Sequence, residues 1–374
     1  MYLPSLPEIG RIFSAPGSKV QLTLSVFLIG FALGQIAYGP ISDKYGRRPV
    51  LLGALLIFLG ATLGCSLAFS IDSLIAARFF QALGGSGAIV LARAIIRDLY
   101  EGARAGRELS LVAATMALAP IVAPVVGGIL QTAFGWRASF FLLAVFAVTA
   151  IFVVWRWLPE TLQHPSPEPL SPAFMLRTFG SFLPIASFRA HLLIVTFSYM
   201  GLFAWISGVS FLLSDIYDLS ALEIGVAFAL TCVGYLAGTL IAARIVTRVG
   251  LHKTLGFGCA ALALGGLGML AVIALFPQSV LALLVPVALY LGGLGLALPQ
   301  GVAGALNPFP RSAGAASSLL GFVQQTCAAA LGILVGHMLG GSAWPIVIPV
   351  ALMGCLSWAA WRLTKNARRE QWVV

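Results

Sequence analysis

Eleven apolar runs, each long enough to cross a bilayer, dominate this chain of 374 residues. They lie at about 20–41, 50–70, 73–96, 109–132, 138–157, 191–213, 222–243, 254–276, 280–303, 313–339 and 344–363. A hydrocarbon core of about 30 Å takes about 20 helical residues at 1.5 Å rise. No period-two alternation marks the runs, and an open sheet cannot satisfy its backbone in lipid, so each is read as a helix. Composition agrees: 60% of residues are hydrophobic and 9% charged, against about 25% charged in a soluble domain. The prediction is an all-α membrane protein. A soluble enzyme, a disulfide scaffold and a disordered chain are excluded. The start, residues 1–19, lacks the basic end, apolar centre and cleavage site of a signal peptide.

The formal net charge of +10 would suit a nucleic-acid binder only on a basic solvent face, which this chain lacks. Its charges sort by loop instead. Lys44, Arg47, Arg48, Arg97, Arg104, Arg107, Arg156, Arg177, Arg189, Arg244, Arg248, Lys253, Arg311, Arg362, Lys365, Arg368 and Arg369 fall on one side. Arg11, Lys19 and Arg137 fall on the other, and Arg78 and Arg93 lie within a run. The positive-inside rule assigns the first group, with the C-terminus, to the cytoplasm. The five cysteines stand singly in apolar runs, a pattern for packing rather than for metal or disulfide.

The chain divides into two similar parts. Residues 158–190 are polar and hold Pro159, Pro165, Pro167, Pro169, Pro172 and Pro184, so they read as a cytoplasmic linker between bundles at 1–157 and 191–374. Gly34 to Gly46 recurs as Gly238 to Gly250, with Arg248 at the place of Lys44 and Thr247 at that of Asp43. Leu83-Gly84-Gly85-Ser86-Gly87 recurs as Leu291-Gly292-Gly293-Leu294-Gly295, and Ser110-Leu111 as Ser318-Leu319. Ordered matches at a nearly constant offset indicate a parallel duplication, which is transporter architecture.

Three stretches carry candidate function. Gly39-Pro-Ile-Ser-Asp43-Lys44-Tyr-Gly46-Arg47-Arg48-Pro49 joins the first two runs. Gly39 permits close helix approach, Gly46 a turn with positive φ, and Asp43 can pair with arginine or a helix N-terminus. A plain basic hairpin remains open as the alternative. Arg78 and Gln81 lie inside the third run. A charge there is costly and marks function by default, with snorkelling to the outer interface as the alternative. Arg93 can either snorkel inward or face a cavity. Pro120, Pro124, Gly127 and Gly128 lie in the fourth run, where proline bends a helix and glycine thins it for packing.

The first stretch resembles the G-x-x-x-D-[KR]-x-G-R-[KR] loop of the major facilitator superfamily. There it latches the two halves in the outward-open state, a role the resemblance assigns to Gly39, Asp43, Gly46 and Arg47. Arg78-x-x-Gln81-Ala82-x-Gly84 is similar to the family's R-x-x-Q-G-x-G motif, whose arginine is implicated in proton coupling, with Ala82 for the first glycine. Ala123-Pro124-x-x-Gly127-Gly128-x-Leu130 resembles the antiporter motif G-P-x-x-G-G-x-L, with Ala123 for its first glycine; that motif separates exporters from importers. Pro4-x-x-Pro7, Leu158-Pro159-Glu160-Thr161-Leu162 and Arg93-x-x-x-Arg97-Asp98-x-Tyr100 are similar to segments of the bicyclomycin/chloramphenicol-resistance branch.

The resemblance implies a two-bundle transporter of twelve helices, of which eleven are present. It places the first helix, with its membrane-embedded carboxylate, ahead of Met1. Asp43, Asp72, Asp98, Glu101, Glu108, Asp215, Asp218 and Glu223 all fall in loops or at span ends. A start upstream of Met1 or a truncated chain is therefore expected. The implied activity is proton-driven export of small amphipathic drugs, chloramphenicol- or bicyclomycin-like, across the bacterial inner membrane. Protons, a small-molecule substrate and the lipid bilayer are its partners. No cofactor, metal or nucleic acid is expected, and the chain is expected to be a monomer. A same-fold exporter of a sugar or other metabolite, and an inactive truncated transporter, are the alternatives.

Overall fold

The computed structural model describes residues 1–100, 102–162, 172–309 and 312–369. The predicted linker prolines Pro165, Pro167 and Pro169 lie outside the described residues, as do the side chains of Arg97, Glu101, Arg107, Glu108, Arg311 and Arg369. The described chain is helical, with no strand among the described residues. A 3-10 turn at Leu3–Ser5 leads to α1 (Leu6–Ile12). The first half continues with α2 (Gly17–Tyr45), α3 (Arg47–Ser66), α4 (Ile71–Leu99), α5 (Gly102–Phe134) and α6 (Arg137–Trp157). A short helix follows, α7 (Pro172–Phe182). The second half holds α8 (Ala186–Phe211), α9 (Ala221–Val249), α10 (Leu251–Leu275), α11 (Val280–Leu306), α12 (Ala313–Met338) and α13 (Trp344–Leu363), then α14 (Lys365–Arg369). Ten of these are long and apolar enough to cross a membrane, and Leu118–Phe134 of α5 adds a shorter apolar stretch. Each predicted run is therefore a helix, most of them longer than the apolar run itself.

The helix ends follow local chemistry. Ser70 caps α4 in a reciprocal box with Ser73, and Ser220 caps α9 with Glu223. These satisfy N–H groups that the first turn leaves open. Gly46 (φ 99°) ends α2 and Gly250 (φ 82°) ends α9. These are duplicated positions, and both need the left-handed region that glycine enters without a Cβ clash. α2 and α9 also have the same length, 29 residues.

The duplication reaches the packing. A Cβ on Gly34 would collide with Ser86 of α4, and a Cβ on its counterpart Gly238 with the Gly292 carbonyl of α11. Likewise Gly85 lies against the Phe58 ring of α3, and its counterpart Gly293 against the Leu262 backbone of α10. Small residues at these crossings let backbones meet where no solvent drives association. The remaining chain is sorted by environment. α8 is largely buried, whereas α6 turns Phe141, Val145, Phe146, Phe152 and Val153 outward, as a lipid-facing helix does.

The two halves meet along α2 with α12 and along α5 with α9. Among the described residues, α5 leans mainly on α9, and far less on the Leu3–Ser5 turn, α6 or α4. α7 lies within the 158–190 segment. It is a helix held to the second half by rings: Phe182 stands 4.6 Å from Phe309 and 6.0 Å from Phe188.

Candidate functional site

At the basic-loop end, α2 turns through Gly46 into α3 and brings Asp43 of α2 beside Arg47 of α3. Arg47 Nη1 lies 2.5 Å from Asp43 Oδ1 and donates to Ser42 Oγ at 2.7 Å. Its Nε donates to Asp98 Oδ2 at the end of α4, 2.9 Å away. The Asp43 side chain is 45% exposed and that of Asp98 20%, so the less screened Asp98 pair carries more of the attraction. Thr161 donates a further hydrogen bond to Asp98.

Glu160 completes the loop from 113 residues away. It accepts the backbone N–H of Arg47 at 2.8 Å and of Arg48 at 3.1 Å, and so caps α3. Partial burial alone would raise its carboxyl, but four backbone N–H donors, those of Leu162, Arg47, Arg48 and Thr161, hold it below its ordinary 4.5. The sequence assigns no role to Asp98 or Glu160 individually. The signal for them is their place in two family-like segments, Arg93-x-x-x-Arg97-Asp98-x-Tyr100 and Leu158-Pro159-Glu160-Thr161-Leu162.

A cavity of about 570 Å³ opens at this end, between the halves. Gln35, Gly39, Asp43, Arg47, Arg93 and Asp98 line it from the first half, and Val302, Leu306, Gly314 and Ser318 from the second. Met175, Thr178 and Phe179 of α7 border it too. Arg93 thus faces a cavity. Gly39 departs from expectation: nothing lies within 4 Å of a Cβ built on it, so it makes no close helix approach here.

Arg78 does not snorkel. It is 8% exposed, its guanidinium 4.1 Å from the Phe27 ring and 4.8 Å from the Tyr2 ring. It donates to Gln81 Oε1 at 2.5 Å, while Gln81 Nε2 donates to Thr62 at 2.9 Å. Ring faces stabilise a desolvated cation, yet Arg78 Nε is buried without a hydrogen-bond partner. Arg78 and Gln81 form one cluster, apart from the cavity lining.

The far end is closed. Gln21 of α2 donates to Ser207 of α8 at 3.1 Å, and Ser25 to the Ala329 carbonyl at 3.1 Å. Gly332 and Gly336 make room for Gln21. On the opposite flank α5 runs unbroken through Pro120 and Pro124. Gly128 meets Leu222 and Gly225 meets Pro124, where an added Cβ would come within 2.9 Å and 2.5 Å of backbone. A Cβ on Gly127 would fall on the Met1 carbonyl. The three sequence stretches thus stand apart, two at the joint between the halves and one inside the first. Among the described residues no His, Cys, Asp and Glu cluster is placed to hold a metal.

A duplicated helical bundle with a cavity at one end of the joint is a transporter frame. Residues 1–333 match the family model of the Major Facilitator Superfamily. The chain belongs to the Major Facilitator Superfamily. Relatives put this facilitator in the bicyclomycin/chloramphenicol-resistance branch. It is 30% identical over 361 residues to multidrug resistance protein D of Escherichia coli, covering 96% of this chain and 90% of that one. It is 29% identical over 347 residues to a bicyclomycin resistance protein homolog of Haemophilus influenzae (93% and 87%). It is 30% identical over 359 residues to a chloramphenicol resistance protein of Pseudomonas aeruginosa (93% and 82%). The fold matches the partially occluded inward-open xylose transporter XylE of E. coli with a TM-score of 0.74 at 15% identity, covering 98% of this chain and 92% of that one. This facilitator is a multi-pass membrane transporter and not an enzyme.

Proposed function

We propose that this facilitator exports small amphipathic drugs of the chloramphenicol or bicyclomycin kind across the bacterial inner membrane by alternating access, driven by inward proton flow. The observation that carries the reading is the cavity at the basic-loop end set against the close packing of the halves at the other. Resistance proteins among the relatives supply the substrate class. The chain acts as a monomer in the bilayer, without a cofactor, and its C-terminus faces the cytoplasm by the basic-loop bias.

Residue roles follow. Asp43, Arg47 and Gly46 hold the latch, with Gly39 facing the cavity until the halves rock. Arg78 and Gln81 form a cation site that responds to protonation. Pro120, Pro124, Gly127 and Gly128 give α5 the surface on which α9 moves. The gene is expressed in a strain lacking its own exporters. Tolerance to chloramphenicol is expected to rise several-fold, and Arg78→Ala to remove the gain at equal membrane abundance. A competition panel that yields a sugar instead, with no drug effect, would contradict the substrate class.

A further inference from the structure

At the closed end of the first half, Gln131 of α5 donates its amide Nε2 to Glu8 Oε2 of α1. Gln131 is 5% exposed, and its Oε1 is buried with no hydrogen-bond partner. Glu8 is half-buried. An ionised carboxylate only accepts hydrogen bonds, so it serves the amide N–H and can do nothing for the amide oxygen. A protonated carboxyl does both: its O–H donates to Gln131 Oε1 while its carbonyl accepts from Nε2. The two groups then close a ring of two parallel hydrogen bonds. Turning the amide over does not help the ionised form, because two acceptors would then face each other.

We propose that Glu8, held by Gln131, is a proton-binding site of this transporter. One proton from water at the closed end adds to the carboxylate oxygen, and the same O–H bond breaks when the pair separates. The proposal rests on the proton-driven reading above and names a group for it.

The charged neighbours leave Glu8 free to change state. On its own helix Arg11 is exposed. On α2, Lys19 is paired with Asp72 of α4 at 3.3 Å. Arg78 of α4 is bound to Gln81 between its two rings. On α6, Arg137 is spent on the carbonyls of Ser66 and Ala68. Tyr2 of the 3-10 turn bonds Thr23. Across the joint, Glu223 of α9 caps its own helix through Ser220, and Asp215 after α8 is exposed. Among the described residues no ion pair fixes Glu8 in its charged form.

The site is also placed to be felt by the joint. Gln131 stands one turn beyond Gly127 and Gly128, the residues that seat the Met1 carbonyl and α9. The segment carrying Glu8 is tied to the second half by Ser210, which donates to the Leu3 carbonyl at 2.8 Å. Protonation ties α1 to α5 by two bonds and favours the closed end, and proton loss loosens it.

The test measures protons released when chloramphenicol is added to the purified full chain in weakly buffered detergent, across a pH series. Glu8→Gln and Glu8→Asp are compared with the parent. Glutamine makes the same two-bond ring with Gln131 but cannot titrate, so it keeps the fold. Release is expected to fall by at least half in Glu8→Gln, and to persist with a displaced pH profile in Glu8→Asp. Parent-like release and pH profile in a folded Glu8→Gln protein overturns the assignment of Glu8 alone. Chloramphenicol binding to the parent with no proton release at any pH overturns the proton-driven reading, and the proposal with it.

Discussion

Arg47 shows how far a residue can be understood from its neighbours in sequence. Its pairing with Asp43 is legible because the two stand four residues apart, on either side of the Gly46 turn that joins α2 to α3. Its stronger partner, Asp98, is 51 residues away, and the carboxylate that caps its backbone, Glu160, is 113 away. No local pattern announces those contacts, which exist only once α3, α4 and the end of α6 are packed. The difference in exposure gives a prediction. Asp98→Asn is expected to cost about 2 kcal/mol of stability, the scale of a lost charged hydrogen bond, and Asp43→Asn under about 1, as for an exposed pair. Unfolding midpoints in detergent distinguish them, and equal losses would contradict the assignment. Glu160 carries a pH signature. Its folded carboxyl is held below its ordinary value of 4.5, so its contribution is present above that value and is lost as pH falls through the lower folded value. The parent is expected to lose more stability than Glu160→Gln over that acid range.

At the scale of elements, the span pattern was legible almost throughout, because bilayer length and apolar content leave little choice but helix. What sequence periodicity did not reveal was where helices approach closely. Glycine at Gly39 and at Gly84 looks alike in sequence. In the fold, a Cβ at Gly39 meets open space, while one at Gly84 would lie 2.6 Å from the Ala54 carbonyl. Gly84→Ala is therefore expected to lower the unfolding midpoint and Gly39→Ala to leave it unchanged. α7 was hidden by the proline content around it, and its anchor is tertiary. Phe182 is 4% exposed and packs on Phe188 and Phe309. Phe182→Ala is expected to release α7 from the second half, removing about 3 kcal/mol of packing. Faster proteolysis of the segment between α6 and α8 reads this out, and an unchanged cleavage rate would count against it.

For the whole molecule, the repeated Gly46 and Gly250 turns and the matched close approaches at Gly34 and Gly238 describe two halves built alike. They meet on α2 with α12 and α5 with α9. With one end of that joint packed and a cavity at the other, transport requires the packed end to open. Gln21 and Gly336 are in contact there. Cysteines placed at both positions are expected to form a disulfide that stops export, and a reductant is expected to restore it; full transport by the crosslinked protein would contradict rocking of the halves. The central claim is that a proton gradient powers drug export by this fold. The most direct measurement follows chloramphenicol uptake into inside-out vesicles with the proton gradient imposed and then collapsed. Uptake is expected only while the vesicle interior is acid and to vanish with the gradient. Uptake that is indifferent to the gradient, or absent under every gradient although the drug binds, would contradict the account.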